Sequence, residues 1–256
     1  MDIRDKTAIV TGGASGLGRA TVERYVADGA KVAIFDLNEN AGQTLAQELG
    51  AAAIFCKVNV AEENEVQAAI DLTVATFGEI HIVSNYAGIG KAGKTFGKNG
   101  PYPLQDYMTV VMVNQVGTFN VCRLAAAKMA NNTPVNEDGV RGVIINTASV
   151  AAYEGQVGQV AYSATKGAIV GMTLPMARDL ASYGIRVVTI APGLIHTPLF
   201  EALDEKVYKS LEASTVFPHR LGKPSEIASL AAHIVANDYI NGEVIRMDAA
   251  IRMQPR

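Results

Sequence analysis

The chain has 256 residues, 49% of them hydrophobic and 18% charged, with a formal net charge of −3. That length suits one large α/β domain with a sizeable core, and the lack of any basic block excludes a nucleic-acid footprint. Cys56 and Cys122 lie in apolar patterns without metal-ligand spacing, which predicts buried free thiols, no metal site and a reducing compartment.

Strand and helix signals then alternate from end to end. The periodicity predicts a strand at 7–10, a glycine turn, a helix at 19–27, a strand at 31–35 and a helix at 40–49. A strand at 53–60, a helix at 62–77 and a strand at 80–85 follow, then one long helix over 104–129. A strand near Val143, a helix at 158–182, a strand at 186–191, a helix opening at Pro224 and a strand at 243–247 complete the series. Several of these strands are apolar throughout, which predicts a parallel sheet covered by helices on both faces. Residues 1–256 carry no linker or repeat and are expected to form a single domain. Two long connections, 89–103 and 193–218, follow strand carboxyl ends, where open α/β sheets bind ligands. No apolar run reaches the ~18 residues of a membrane-spanning helix. The start of the chain runs directly into the first strand, so no signal peptide and a cytoplasmic location are expected.

The glycine turn carries the first chemistry. Gly12, Gly16 and Gly18, with Ser15 and Leu17 between them, lie between a strand and a helix. Residues without a Cβ allow a tight turn and let a pyrophosphate approach the helix N-terminal N–H groups. At the end of the second strand stands Asp36, placed to accept hydrogen bonds from ribose hydroxyls and to repel a 2′-phosphate. Arg19 is the only basic residue beside the turn, so the expected cofactor is NAD rather than NADP.

The second constellation is Ser149, Tyr162 and Lys166. Tyr162 and Lys166 are four apart on a helical pattern and share one face, one turn apart. A hydroxyl at a strand end, facing a phenol with an ammonium beside it, is arranged for proton transfer to or from an alcohol. Asn114 stands inside an apolar helical pattern, where its amide competes with the backbone, and so calls for a reason outside helix stability.

Together these residues resemble the short-chain dehydrogenase/reductase family over nearly the whole chain, including Asn85, Ala87 and Gly88 after the fourth strand and Pro192 and Gly193 after the sixth. The resemblance implies a Rossmann-type, doubly wound α/β fold. It also implies that Tyr162 is the catalytic base, that Lys166 holds the nicotinamide ribose and that Asn114 holds a water in a proton relay. Ser149 would bind the substrate oxygen, Thr197 the carboxamide, and Asn59 with Val60 the adenine. A closer likeness, at residues 142–152, 154–159, 171–175, 190–194 and 241–246 and in the inserted loop after Gly88, is to the family's 3-hydroxyacyl-CoA dehydrogenases. That implies oxidation of a short-chain 3-hydroxyacyl-CoA, with or without a 2-methyl branch, a substrate contact at Gln156 and a homotetramer.

Members of that branch are also credited with steroid oxidation, so a hydroxysteroid is the alternative substrate. A 3-oxoacyl carrier-protein thioester, which usually goes with NADPH, is disfavoured by Asp36. A non-catalytic dinucleotide-binding scaffold is the reading from another class, against which all four polar residues of the proton-transfer set are retained. Lys91, Lys94 and Lys98 fall in the loop 89–103 with no acid among them, either a solvated surface or a contact for coenzyme A phosphates. The chain departs from the family pattern at Tyr86 and Asn59, and at Asp248 to Ala250, where a glycine is often found.

Overall fold

The computed structural model describes residues 1–197 and 205–255, with side chains from 205 to 207 excepted. Strands β1 (Thr7–Thr11), β2 (Lys31–Asp36), β3 (Ala53–Lys57), β4 (Ile82–Asn85), β7 (Gly142–Thr147), β8 (Ile185–Pro192) and β9 (Val244–Met247) form one sheet in the order β3-β2-β1-β4-β7-β8-β9. All six pairings are parallel. Parallel neighbours require crossovers, and helices α1 (Gly16–Ala27), α2 (Glu39–Leu49), α3 (Glu63–Phe77), α4 (Leu104–Val110), α5 (Thr118–Met129), α6 (Val160–Leu180) and α8 (Pro224–Ala236) supply them. The fold is the expected Rossmann-type α/β sheet.

Side chains alternate across each strand and build two cores. Val10, Ile34, Ile82 and Ile145 pack with Val22, Tyr25 and Ile227 on one face. Ile9, Phe35, Val83 and Ile144 pack with Val66, Ile70, Val121 and Met176 on the other. Thr11 pairs in register with Asn85, and Asn85 with Asn146, so three polar residues align at the carboxyl ends of adjacent central strands. There Thr11 Oγ1 meets Asn85 Oδ1 at 3.4 Å, and Asn85 Nδ2 donates to Asn146 Oδ1 at 2.9 Å. The ladder places the site at the point where strand order reverses between β1 and β4.

Four expectations need correction. The third strand stops at Lys57 rather than at 60, because Asn59 and Val60 are turned out of the sheet: Asn59 N donates to Glu65 Oε2 at 2.7 Å, and Val60 O accepts from Asn120 Nδ2 at 3.0 Å. The first helix begins at Gly16, inside the glycine turn, rather than at 19. The helix expected over 104–129 spans those residues but is not α-helical throughout: α4 (Leu104–Val110) passes into a π-helical stretch, Val111–Gly117, before α5 (Thr118–Met129). The two long connections also carry structure of their own. A two-stranded hairpin, β5 (Phe96–Gly97) and β6 (Gly100–Pro101), folds the first, and helix α7 (Glu205–Ser214) occupies part of the second. The stretch 198–204 of that second connection lies outside the described residues. Smaller shifts move the fourth strand's start to Ile82 and the helix expected at 158–182 to Val160–Leu180. Among the described residues no helix is long and apolar enough to cross a membrane.

Candidate active site

A cleft of about 460 Å³ opens over the carboxyl ends of β1, β2 and β4. Gly12, Ser15, Gly16, Leu17 and Gly18 floor it, Asp36, Asn59 and Val60 close one end, and Ala87, Gly88 and Thr197 the other. The glycine spacing is dictated by contact. A Cβ on Gly18 would collide with the Gly12 carbonyl, and one on Gly12, at φ +62°, would sit 2.9 Å from Ala87 N. The N-terminus of α1 carries no capping side-chain hydrogen bond and no acid in its first turn, so its N–H groups face the cleft unneutralised. An uncapped helix end over a floor without side chains fits a dinucleotide pyrophosphate.

Asp36 is fixed at the far end by two backbone donors: Ala14 N to Oδ2 at 3.0 Å and Asn38 N to Oδ1 at 2.9 Å. Arg19 turns away, pairing with Glu23 at 2.8 Å and Glu48 at 3.1 Å. Asn59 Oδ1 accepts from Ala61 N at 3.1 Å, which keeps its amide at the cleft edge. Leu37, Phe35, Val58, Tyr86, Ile89 and Val113 also line the cleft and were not among the expected residues. Leu37 and Val58 had a readable signal, being apolar residues directly beside Asp36 and Asn59. Tyr86, the departure from the family pattern, is tied to α1: Thr21 Oγ1 donates to its hydroxyl at 2.9 Å, and burial pushes the phenol up to about 12.

Behind this wall lies the polar ladder. Asn85 is buried there rather than lining the cleft, and Thr11 Oγ1 accepts from Tyr86 N and Ala87 N at 3.2 Å each. Pro192 ends β8, and Gly193 N donates to Met247 O at 3.0 Å, so these two lie on the β9 side.

The proton-transfer residues gather past Gly88. Ser149 follows β7 and opens a short 3₁₀ turn, its Oγ accepting from Ala151 N at 3.1 Å. The Ser149 hydroxyl beside the Tyr162 phenol draws that group's pKa down, while burial pushes it up more strongly. One turn along α6, Lys166 is buried, donates to Thr147 O at 2.7 Å and is pushed down to about 8 by burial. Asn114 sits in the π-helical stretch, fully buried, its Oδ1 accepting from Ile89 N at 2.8 Å. Its Nδ2 donates to Ile89 O at 2.9 Å and to Thr165 Oγ1 at 3.1 Å. A widened helical turn of this kind often marks functional positions. A side chain at Gly88 would meet Asn114 Oδ1 at 3.3 Å and Lys166 Nζ at 3.7 Å, which ties the cleft floor to this group. Most of the expected residues therefore gather around the cleft, with Asn85 behind its wall and Pro192 and Gly193 toward β9. The Gln156 amide points to the end of the chain, donating to Gln254 O at 3.0 Å.

A dinucleotide-shaped cleft ending on a Ser–Tyr–Lys set defines a class of oxidoreductase. Residues 6–207 match the sequence model described as short chain dehydrogenase, and the chain belongs to that family. Among known proteins it is similar to 3-hydroxyacyl-CoA dehydrogenase type-2 of Rattus norvegicus, at 54% identity over 255 residues, 99% of this chain and 97% of that one. The protein of the same name from Drosophila melanogaster is 52% identical, covering 99% of this chain and 100% of that one. The crystal structure of 3-hydroxyacyl-CoA dehydrogenase type-2 from Mycobacterium avium superposes with a TM-score of 0.94 at 44% identity, over 98% of this chain and 97% of that one.

Proposed function

We propose that the chain oxidises a short-chain 3-hydroxyacyl-CoA, with or without a 2-methyl branch, to the 3-oxoacyl-CoA with NAD. The observation that carries the chemistry is the buried Lys166 ammonium, 5.6 Å from the Tyr162 ring centroid and 3.7 Å from where a Gly88 Cβ would stand, with the Ser149 hydroxyl beside the same phenol. The thioester class rests on the names of the relatives in Rattus norvegicus and Drosophila melanogaster.

When bound, NAD supplies the acceptor for the hydride that leaves the substrate carbon. Tyr162 takes the proton of the substrate hydroxyl on its Oη. An ordinary phenol, with a pKa of about 10, is a poor base at pH 7, and lowering it by ~3 units takes about 4 kcal/mol of differential stabilisation. Burial of Tyr162 works against this. The Ser149 hydroxyl and the Lys166 charge work for it, since Lys166 at about 8 is mostly protonated at pH 7. Ser149 Oγ holds the substrate oxygen as negative charge develops on it. Asn114 holds the relay water, and its two bonds to Ile89 fix the side chain for that task.

NAD is favoured over NADP because both Asp36 oxygens are anchored where a 2′-phosphate would lie and Arg19 is committed to two glutamates. Coenzyme A phosphates would meet Lys94 and Lys98, whereas Lys91 is paired with Asp106 at 2.7 Å. A homotetramer is supported by exposed Met108, Met112, Val116 and Phe119, which share one face of the run from α4 to α5. A reducing, cytoplasmic setting is supported by the free, buried Cys56 and Cys122. The test is NADH consumption with acetoacetyl-CoA against a panel of ketosteroids. Preferential turnover of the thioester supports the assignment, and preferential turnover of a steroid overturns it.

A further inference from the structure

Between Ser149 and Tyr162 the chain makes a loop whose residues are gripped from a distant part of the sequence. Arg246, on β9, donates Nη1 to Glu154 Oε1 at 2.7 Å and Nη2 to Glu154 Oε2 at 3.2 Å. Its Nε donates to Asp248 Oδ2 at 2.9 Å, and its guanidinium carbon lies 5.3 Å from the Tyr153 ring centroid. Glu154 Oε2 also accepts from Met253 N at 3.0 Å. Two further bonds extend the grip: Gln156 Nε2 to Gln254 O and Val157 N to Pro255 O, both at 3.0 Å. A bidentate arginine–carboxylate fork whose side chains are only 23% and 20% exposed is less screened by solvent than a pair on the open surface.

The turn after β9 joins this clamp to the opposite side of the cleft. Ala249 O accepts from Val216 N at 3.0 Å and Phe217 N at 3.4 Å, at the end of the connection that begins at Gly193. Gly193 itself packs on Asp248, where a Cβ would come within 2.7 Å. Ala249 and Ala250 hold φ of +49° and +58°, a left-handed conformation that side chains disfavour. The turn is over-determined by Ala250 N to Asp248 Oδ1 at 3.1 Å and Ile251 N to Asp248 O at 3.0 Å. Strain retained by surrounding bonds in this way is concentrated where geometry serves function.

We propose that Arg246 is a positioning residue for substrate binding. Through Glu154 and Tyr153, and together with the tail 251–255, it fixes the segment 150–157 that flanks Ser149. Through Asp248 it sets that segment against the connection starting at Gly193. Arg246 makes no contact with Ser149, Tyr162 or Lys166 in the bonds described, so its effect falls on how the acyl thioester is held rather than on proton transfer. The proposal rests on the 3-hydroxyacyl-CoA assignment above.

The experiment uses full-length Arg246→Gln, Glu154→Gln, the double variant and Met253→Pro, which removes the N–H donated to Glu154 and also fixes the backbone at 253. With saturating NADH, KM for acetoacetyl-CoA is expected to rise roughly tenfold in Arg246→Gln and Glu154→Gln with kcat within about threefold, the pattern of lost substrate positioning. NADH affinity stays as in the wild type, and the double variant is no worse than either single one. Met253→Pro raises KM less. Amide hydrogen exchange over 150–157 quickens in all four. Unchanged KM in folded variants overturns the proposal, as does a parallel loss of NADH affinity. If Arg246→Gln does not fold, Glu154→Gln and Met253→Pro decide by the same criteria. A wild type inactive on acetoacetyl-CoA defeats the substrate assignment instead, and the exchange measurement then decides the clamp alone, unchanged protection at 150–157 sinking it.

Discussion

Lys166 Nζ donates to Thr147 O at 2.7 Å while standing 5.6 Å from the centroid of the Tyr162 ring. A strand-end carbonyl thus holds the ammonium one helical turn from the phenol it serves. Among the described bonds the ammonium has this one acceptor, and burial pushes it down to about 8 from 10.5. The proposed mechanism uses that charge at Tyr162, whereas burial makes it unfavourable to the fold.

That conflict sets a pH dependence. Between about pH 8 and 10 the unfolded chain keeps the Lys166 proton that the folded chain has released, so stability rises with pH in this window. Below pH 8 both states hold the proton and the full penalty, on the order of 3 kcal/mol, applies. Lys166→Met is expected to melt higher than the wild type at pH 7, with the gap narrowing as pH rises toward 10, while turnover is lost. Thermal melts of the cofactor-free proteins across that range check it. A gap that does not change with pH contradicts the buried-ammonium account.

The turn after β9 makes a stability prediction of the opposite kind. Ala249 and Ala250 occupy left-handed backbone, which costs about 1–2 kcal/mol per residue with a Cβ, against roughly 0.5–1 kcal/mol of extra chain entropy for glycine. Ala249→Gly and Ala250→Gly should each stabilise by about 0.5–1 kcal/mol, raising Tm by a few degrees at most. A lowered Tm in both would mean the turn is not strained.

Asp36 is anchored by Ala14 N and Asn38 N before any ribose arrives, so its geometry does not depend on the cofactor. Removing a charged acceptor costs about 1.5–3 kcal/mol, or roughly 10–100-fold in affinity. Asp36→Ala is expected to weaken NADH by that amount and to narrow the gap to NADPH, measured by quenching or calorimetry. Equal affinity of the wild type for both cofactors would refute the NAD assignment.

Reversing Lys94 and Lys98 should raise KM for acetoacetyl-CoA by roughly three- to tenfold, less at high salt, because exposed charges are screened. The truncated pantetheine thioester should be unaffected. Equal effects on both substrates would return these lysines to the solvated surface.

The sheet, the glycine turn and the proton-transfer set were legible because each depends on local pattern. Apolar runs ending in polar residues marked β1, β4 and β7, and the one-turn spacing of Tyr162 and Lys166 needed only a helix beneath it. What escaped was set by contacts across the chain. The third strand ends at Lys57 because Asn120 and Glu65 capture Val60 and Asn59. The π-helical stretch around Asn114 leaves no mark on a helical pattern, although Asn114 itself stood out as misplaced. Helix α7 had a modest signal, with Val207 and Leu211 one turn apart, but its connection looked irregular. The Arg246–Glu154 fork joins residues far apart in sequence, and Glu154 alone reads as an ordinary loop acid. Gln156 shows the same cross-chain dependence, since its amide meets the tail at Gln254 while it lines a second cavity beside Lys94, Phe96 and Ser163.

The most direct measurement is NADH consumption with acetoacetyl-CoA by the wild type and by Tyr162→Phe, alongside NADH binding to both. The wild type should turn over the thioester, and Tyr162→Phe should bind NADH nearly as well yet be inactive, because the group that exchanges the hydroxyl proton is gone. Activity of Tyr162→Phe above roughly a few per cent of wild type, beyond what loss of an essential acid–base group allows, would contradict the account.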